Sequence, residues 1–169
     1  MADLATEAIK LSVESLKNAD IDLAKEIIKN DTRMDMLEIE IDDDCIRLIV
    51  TRQPAASDLR FALAMLKINT DIERIGDIAS NIAKETLKIN GTPLIKPLID
   101  IPRMAEIAVR MIQQAFTSIS EKDVEKAKAV ITMDDEIDEL NMQIYRELFT
   151  YMCEANRNIS QSLSLIMVA

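Results

Sequence analysis

The chain has 169 residues, of which 49% are hydrophobic and 30% charged, whereas glycine, proline and aromatic residues are scarce. This composition excludes a sheet-rich fold, because it supplies too few turn-forming and strand-forming residues, and it predicts an all-α protein. A net charge of −10 argues against nucleic-acid binding and against a polybasic membrane anchor, and it favours metal cations or basic protein surfaces as partners.

Histidine is absent from the sequence. The usual general base and the Ser–His and Cys–His nucleophile pairs are therefore missing, and we predict that the protein is not an enzyme. The N-terminal residues Met-Ala-Asp-Leu lack the cation and the apolar stretch of a secretory signal. The longest uncharged run, residues 158–169, has 12 residues, which is short of the ~20 that a membrane-spanning helix needs. We therefore expect a cytoplasmic protein without direct membrane insertion.

Sparse helix-breaking residues divide the chain into six helical segments. Asp20 is a good N-cap for the second segment, and Pro54 lies near the first turn of the third. Asn90-Gly91 is a typical C-terminal stop. We predict helices over residues 3–17, 20–52, 54–90, 103–119 and 123–154, and a sixth that begins near residue 159.

The second half of the chain repeats the first. A shift of 103 positions aligns residues 20–41 with residues 123–144, and eight of these 22 positions are identical, where chance gives about one or two. This repeat predicts two tandem pseudo-symmetric three-helix bundles, residues 1–91 and residues 92–169. We expect the second bundle to be incomplete at its C-terminus, because its last helix stops partway.

Acidic residues interrupt the apolar rows of the second and third helices. On the second helix, Asp31 and Glu38 fall on the apolar row and Asp35 lies one turn from Asp31. On the third helix, Glu73 falls on the apolar row and Asp77 follows four residues later. Carboxylates withdrawn from water cost several kcal/mol each unless they are paired, protonated or bound to metal. The pattern therefore predicts an all-oxygen metal site between these helices, of the kind that hard cations prefer.

The second repeat carries half of this arrangement. Asp134 and Asp138 correspond to the first two acids, and Asn141 replaces Glu38 as an oxygen ligand. The matching acidic pair of the last helix would fall beyond Ala169.

Three other interpretations of the acidic residues remain open at this point. Arg33 and Arg74 could pair with the acids in a purely structural bundle, and Gly76 could serve tight helix packing as well as a metal site. A di-metal carboxylate enzyme is disfavoured because such sites add histidine. The acidic run Asp42-Asp43-Asp44 lacks the spacing of a calcium-binding loop, and we interpret it as a solvated face.

Residues 72–83 have the sequence Ile-Glu-Arg-Ile-Gly-Asp-Ile-Ala-Ser-Asn-Ile-Ala, and Asp58-Leu59-Arg60 precedes them. With the duplicated D-x-x-x-D helices, this sequence resembles the PhoU family of phosphate-signalling regulators over nearly the whole chain. The resemblance implies paired three-helix bundles whose (E/D)-x-x-x-D motifs bind a divalent or trivalent metal ion such as Fe, Zn, Mg or Mn. The residues that match these motifs are Asp31, Asp35, Glu73, Asp77, Asp134 and Asp138.

The resemblance also implies a function. It implies a negative regulator of the phosphate-starvation response, a non-enzymatic adaptor between the ATPase of a phosphate ABC transporter and a sensor histidine kinase. Such an adaptor is cytoplasmic, reaches the inner membrane through its partners, and can pair with a second copy of itself. The last helix lacks a second Glu-Arg-Ile-Gly-Asp motif, so these residues alone do not predict a complete second metal site.

Overall fold

The fold is known from a computed structural model that describes all 169 residues. It contains helices and no strand, as the composition predicts. The helices are α1 (Ala2–Asn18), α2 (Ile21–Arg52), α3 (Ala56–Ile89), α4 (Asp100–Glu121), α5 (Val124–Thr132), α6 (Asp134–Glu154) and α7 (Ile159–Val168), with a single 3-10 turn (Asn156–Asn158) between α6 and α7.

The corner between α1 and α2 has a precise hydrogen-bonding pattern. Ala19 adopts a left-handed conformation (φ 52°) that ends α1. Asp20 then caps α2, because its Oδ1 accepts hydrogen bonds from the backbone N–H groups of Asp22 (3.1 Å) and Leu23 (3.0 Å).

The same corner recurs 103 residues later. Lys122 is left-handed (φ 55°) at the end of α4, and Asp123 Oδ1 accepts from the backbone N–H groups of Glu125 and Lys126, both at 3.0 Å. The predicted internal repeat is therefore visible in local geometry as well as in sequence.

The two halves share one hydrophobic core. Helix α1 packs against the antiparallel α2–α3 pair, and α4 runs antiparallel to α1 along its other side. The side chains that fill the core are largely or completely buried. Its members include Leu16 of α1, Ile82 of α3, Ile107 of α4, Ile144 and Leu148 of α6, and Leu165 of α7.

The connection between α3 and α4 fastens the second half to the first. Lys96 in this segment is buried and forms ion pairs with Glu147 of α6 and, at 3.6 Å, with Asp100 of α4. Gln161 of α7, also buried, accepts a hydrogen bond from the backbone N–H of Ile95 at 2.6 Å. The connecting segment is thereby joined to α4, α6 and α7.

The prediction of one continuous helix over residues 123–154 is wrong, because the structure has two helices there, α5 and α6. The chain turns at Met133, whose backbone N–H donates to the carbonyl of Val130 at 3.1 Å, and α6 restarts at the next residue. Asp134, Asp135 and Glu136 occupy the first turn of α6, where free N–H groups favour negative charge. No residue of α5 is buried.

The end of the α2–α3 pair near the connecting loop lacks a third helix. Leu48 of α2 and Phe61 of α3, two large apolar residues at this end, are 48% and 53% exposed. Helix α1 has 17 residues against 32 in α2, and its first residues pack near Met34, so it does not cover this end.

None of the helices combines the length and the hydropathy that crossing a membrane requires.

Candidate metal centre

Gly76 brings α2 and α3 close together beside the acidic residues. A Cβ atom at this position would lie 3.1 Å from Met34 Cγ and 3.2 Å from Met34 Cε. Met34 in turn packs against Ala5 and Ile72 in a buried cluster. Tight helix packing is therefore a sufficient reason for the glycine, and it places the carboxylates that flank this contact on neighbouring helices within reach of one another.

We call the five carboxylates along this contact the acidic seam. Helix α2 contributes Asp31, Asp35 and Glu38, and helix α3 contributes Glu73 and Asp77. Asp31, Glu38 and Glu73 are half-buried, whereas Asp35 and Asp77 are exposed. The seam therefore lies at the edge of the helix contact, and its carboxylates are less withdrawn from water than the apolar rows predict.

The pKa of Glu73 shows that the seam carboxylates act on one another. Burial raises this pKa most, and the charges of Asp77, Glu38, Asp35 and Asp31 each raise it further. Like charges have this effect only at short range in a protein. The five seam carboxylates therefore lie near enough for their charges to act on Glu73, but they do not form a cluster that could hold a metal ion.

Asp31 lies at one end of the seam in a mixed environment. Burial raises its pKa most, the hydroxyl of Ser80 lowers it, the charges of Asp77 and Asp35 raise it, and Lys84 lowers it. The Nζ atom of Lys84 itself donates to Asn81 Oδ1 at 3.2 Å. The net effect is a raised pKa, so the local cation does not compensate the burial and the repulsion.

No basic side chain forms an ion pair with the seam. The ion pairs of the molecule involve other carboxylates. Arg33 and Arg74 are both exposed and take part in none of them. The alternative in which these two arginines neutralise the acids is therefore wrong.

Asn69 closes one end of the seam with protein hydrogen bonds. Its side chain is 2% exposed, and its Nδ2 donates to the backbone carbonyl of Glu38 and to Asp42 Oδ1, both at 2.9 Å. Asp43 and Asp44 are exposed, in keeping with the interpretation of the Asp42-Asp43-Asp44 run as largely a solvated face, whereas Asp42 is half-buried and takes part in this contact.

Ser80 lies at the opposite end, beside Asp31. It is 1% exposed, and its Oγ has no hydrogen-bond partner, although the hydroxyl is close enough to Asp31 to lower the pKa of that carboxyl. A buried hydroxyl without a partner costs about 1–3 kcal/mol.

The side chains of the seam are of the type that binds a hard cation, but they are not arranged as a metal site. Its donors are all oxygens, its charge is uncompensated, and Ser80 Oγ is unpartnered, which together suit ions such as Mg²⁺ or Mn²⁺. However, no three acidic or cysteine side chains are grouped closely enough to hold a metal ion. Binding a cation would therefore require the seam carboxylates to move closer together.

The acidic residues of the second repeat do not face acidic residues on a neighbouring helix. Asp134 and Asp138 are both exposed on α6, and α7, which packs beside α6, contains no acidic residue. Asn141 Oδ1 is buried without a hydrogen-bond partner. These three residues therefore form at most half of the arrangement in the first repeat.

Sequence patterns did not identify Ser80 and Asn69 as parts of the site. Both lie on the face of α3 that carries Glu73, since Asn69 precedes it by four residues and Ser80 follows it by seven. A polar residue on an otherwise apolar row is the signal that could have found them. The sequence alone does not show which polar groups lack a partner.

The fold and the seam define an all-helical tandem-repeat protein with carboxylates gathered between two helices of the first repeat. The chain belongs to the PhoU domain family, whose model matches residues 1–86 and 101–169. This match confirms the resemblance seen in the sequence and the tandem all-α fold. The boundary between residues 91 and 92 stays a prediction.

Relatives of known sequence match the whole chain. The phosphate-specific transport system accessory protein PhoU homolog of Aquifex aeolicus is 42% identical over 169 residues, which cover all of this chain and 76% of the relative. The corresponding PhoU of Escherichia coli is 30% identical over 169 residues, which cover all of this chain and 70% of that protein.

Solved structures show the same architecture. The crystal structure of PhoU from Pseudomonas aeruginosa matches with a TM-score of 0.93 and 31% identity, covering 99% of this chain and 81% of that one. The phosphate transport system regulatory protein PhoU from Streptococcus pneumoniae matches with a TM-score of 0.90 at 23% identity, which shows the fold alone.

Proposed function

We propose that this protein is a regulator associated with phosphate transport. The observation that carries the proposal is the 42% identity over all 169 residues to a phosphate-specific transport system accessory protein homolog. Because the similarity is not confined to one repeat, it supports a shared role for the whole helical scaffold. The TM-score of 0.93 to a PhoU crystal structure supports the same conclusion at the level of shape.

In its finer form, the proposal is a non-enzymatic adaptor. The protein docks on the ATPase of a phosphate ABC transporter and on a sensor histidine kinase, and it reduces the phosphate-starvation response when phosphate is plentiful. The net charge of −10 supports docking on basic surfaces, since complementary charge speeds association and selects partners. In this proposal the protein works in the cytoplasm and reaches the inner membrane through these partners.

The acidic seam is proposed to bind a divalent or trivalent cation such as Fe, Zn, Mg or Mn. The absence of any ion pair to the seam supports this proposal, as does the raised pKa of Glu73 and Asp31 by burial and by neighbouring carboxylates. A bound cation would offset this repulsion, and it would raise the free energy of unfolding by about 2.7 kcal/mol at a free concentration of 100 Kd. Asp134 and Asp138 are proposed as a weaker, exposed cation site.

Affinity capture tests the adaptor. The immobilised protein should retain both the transporter ATPase and the cytoplasmic part of the kinase, and retention should fall with salt because exposed charges are screened. The seam variant D35N/E73Q/D77N should lose at least one partner. The control variant E40Q/D43N/D71N removes the same number of charges from exposed positions on the same two helices, and it should retain both partners.

Two results would count against the adaptor. If the unaltered protein retains neither partner, the adaptor role is wrong, and the alternative of a metal-binding or structural bundle without a signalling role is favoured. If the seam and control variants behave alike, the seam has no part in docking. Self-association stays a prediction, which sedimentation of the unaltered protein measures.

A further inference from the structure

Helix α2 carries a row of large apolar side chains that no other part of the protein covers. Met36, Ile39, Ile46 and Val50 are 59%, 62%, 53% and 68% exposed. They follow one another at intervals of three, seven and four residues inside one regular helix, so they share a single face of it. We call this face the α2 stripe. Large apolar side chains exposed side by side in this way mark an interaction surface.

The α2 stripe points away from the rest of the molecule. With about 3.6 residues per turn, its centre lies about 160° around the helix from Met34, and Met34 packs against Ala5 and Ile72 in the core. The stripe is therefore not an edge of the core that other helices cover incompletely. Folding of the chain leaves its four apolar side chains without a partner.

The charge on and beside the α2 stripe is mainly negative. Residues 36–50 include five acidic residues and one basic residue. Asp43 lies at the centre of the stripe and is exposed, and Asp35 and Glu40 are exposed beside it. The one basic residue, Arg47, is already held in an ion pair by Asp44. The stripe therefore combines apolar contact area with uncompensated negative charge.

This charge disfavours a second copy of the chain as the occupant of the stripe. Asp43 has apolar residues seven and four positions before it and three and seven positions after it. Two stripes packed face to face and centred on each other would therefore bring their Asp43 side chains together, whether the helices run parallel or antiparallel. Like charges at such a contact oppose association, and the net charge of −10 on each copy adds to this repulsion.

We propose that the α2 stripe binds an amphipathic helix of a partner protein, with apolar residues at matching spacing and a lysine or arginine opposite Asp43. This proposal rests on the proposed adaptor function and names the surface through which the adaptor docks. The stripe runs from Met36 to Val50, about 21 Å of helix, so a partner helix of about four turns covers it. The apolar residues supply the contact, and the opposite charges fix the register and reject acidic partners.

The test compares the binding of full-chain variants to the transporter ATPase and to the cytoplasmic part of the kinase by biolayer interferometry. The stripe variant I39Q/I46Q/V50Q should bind at least one of these proteins about tenfold more weakly or worse, because most of the apolar contact is lost. All three positions are exposed, so the variant should keep the fold. Circular dichroism and the melting temperature check this.

The matched control is I99Q/V124Q/I131Q. It replaces the same residue types at positions that are 70%, 64% and 71% exposed outside α2. This control should bind both proteins as tightly as the unaltered chain, because the loss of exposed apolar residues in general is not the cause of weaker binding.

The charge at the centre of the stripe is tested by D43K. This variant should weaken binding to the same protein that the stripe variant affects, and the difference should shrink as salt is added. The control E26K reverses a charge at an exposed position of α2 outside the stripe and should have little effect. If D43K binds as tightly as the unaltered chain or more tightly, a basic partner helix is wrong.

The remaining outcomes separate the stripe from the adaptor function. If the unaltered chain binds a partner and the stripe variant binds it equally well, the proposal for the stripe is wrong and the adaptor function stands. If the unaltered chain binds neither protein, both fail. If sedimentation shows that the unaltered chain self-associates and the stripe variant does not, a second copy occupies the stripe and the proposal is wrong.

Discussion

At the scale of single residues, Glu73 shows the electrostatic state of the seam without a cation. Burial raises its pKa most, and four neighbouring carboxylates add to the shift. A raised pKa means that the folded state binds the proton more tightly than the unfolded state, so this contribution to stability is present below the unfolded pKa of about 4.3. It is lost as the pH rises through the folded pKa, and ionised Glu73 at neutral pH therefore opposes folding.

We predict that E73Q stabilises the cation-free protein at pH 7. The substitution removes the repulsion between Glu73 and Asp77, an i,i+4 pair of like charges that costs about 0.2–0.5 kcal/mol. The gain should shrink toward zero near pH 3, well below the unfolded pKa of about 4.3, because the carboxyl of Glu73 is then protonated in both states. Urea unfolding in EDTA at the two pH values measures both effects.

The control is E14Q on α1, an exposed position with Lys10 and Lys17 one turn away on either side. It should not increase stability at pH 7, because it removes favourable pairs. A destabilising effect of E73Q at pH 7 in EDTA would contradict the electrostatic description of the seam.

At the scale of helices, the two capped corners share their geometry but not their surroundings. Asp20 starts α2, which contributes buried residues to the core, and Asp123 starts α5, which contributes none. Replacing an aspartate N-cap by alanine costs about 1 kcal/mol of helix stability. How much of this cost reaches the whole protein depends on how firmly the helix is packed.

We predict that D20A lowers the melting temperature by about 2–4 °C, as expected for about 1 kcal/mol in a chain of this size. D123A should leave the melting temperature almost unchanged and increase hydrogen exchange within residues 124–132, because α5 can open without exposing the core. D20N and D123N, which keep a capping oxygen, are the controls. Equal loss of melting temperature in D20A and D123A would show that α5 is coupled to global unfolding.

Much of the helical architecture was predictable from local patterns. The N-caps Asp20 and Asp123, the stop at Asn90-Gly91 and the repeat of 103 residues all depend on neighbouring residues, and the structure places helix ends close to them. The break at Met133 was not predictable from periodicity, since the apolar spacing continues through it. Whether another helix covers Leu48 and Phe61 was also not predictable, because it depends on how far α1 extends along the α2–α3 pair.

The candidate site was predictable only in part. Acids on apolar rows indicated Asp31, Glu38 and Glu73, because helical periodicity assigns each residue to a face. Whether a carboxylate on or beside such a row is buried depends on how closely the two helices pack. The exposure of Asp77 could therefore not be predicted from the sequence. The position of the Ser80 hydroxyl beside Asp31 was not predictable either, because the two residues are 49 positions apart in the sequence and local patterns do not relate them.

At the scale of the whole molecule, a strongly acidic helical scaffold concentrates uncompensated charge at one contact between α2 and α3. The shared core and the fastened α3–α4 connection join the two repeats. In such a protein, a cation at the seam would change both the stability of the first repeat and the charge that it presents to partners.

The central claim, that the acidic seam binds a cation, is tested most directly by elemental analysis of the full chain purified without chelator or added metal, combined with melting before and after EDTA treatment. The claim predicts bound metal in the unaltered protein, none in D31N/D77N, and a lower melting temperature after EDTA that added Mn²⁺ restores. Metal-free protein whose melting temperature responds to neither EDTA nor Mn²⁺ would contradict it.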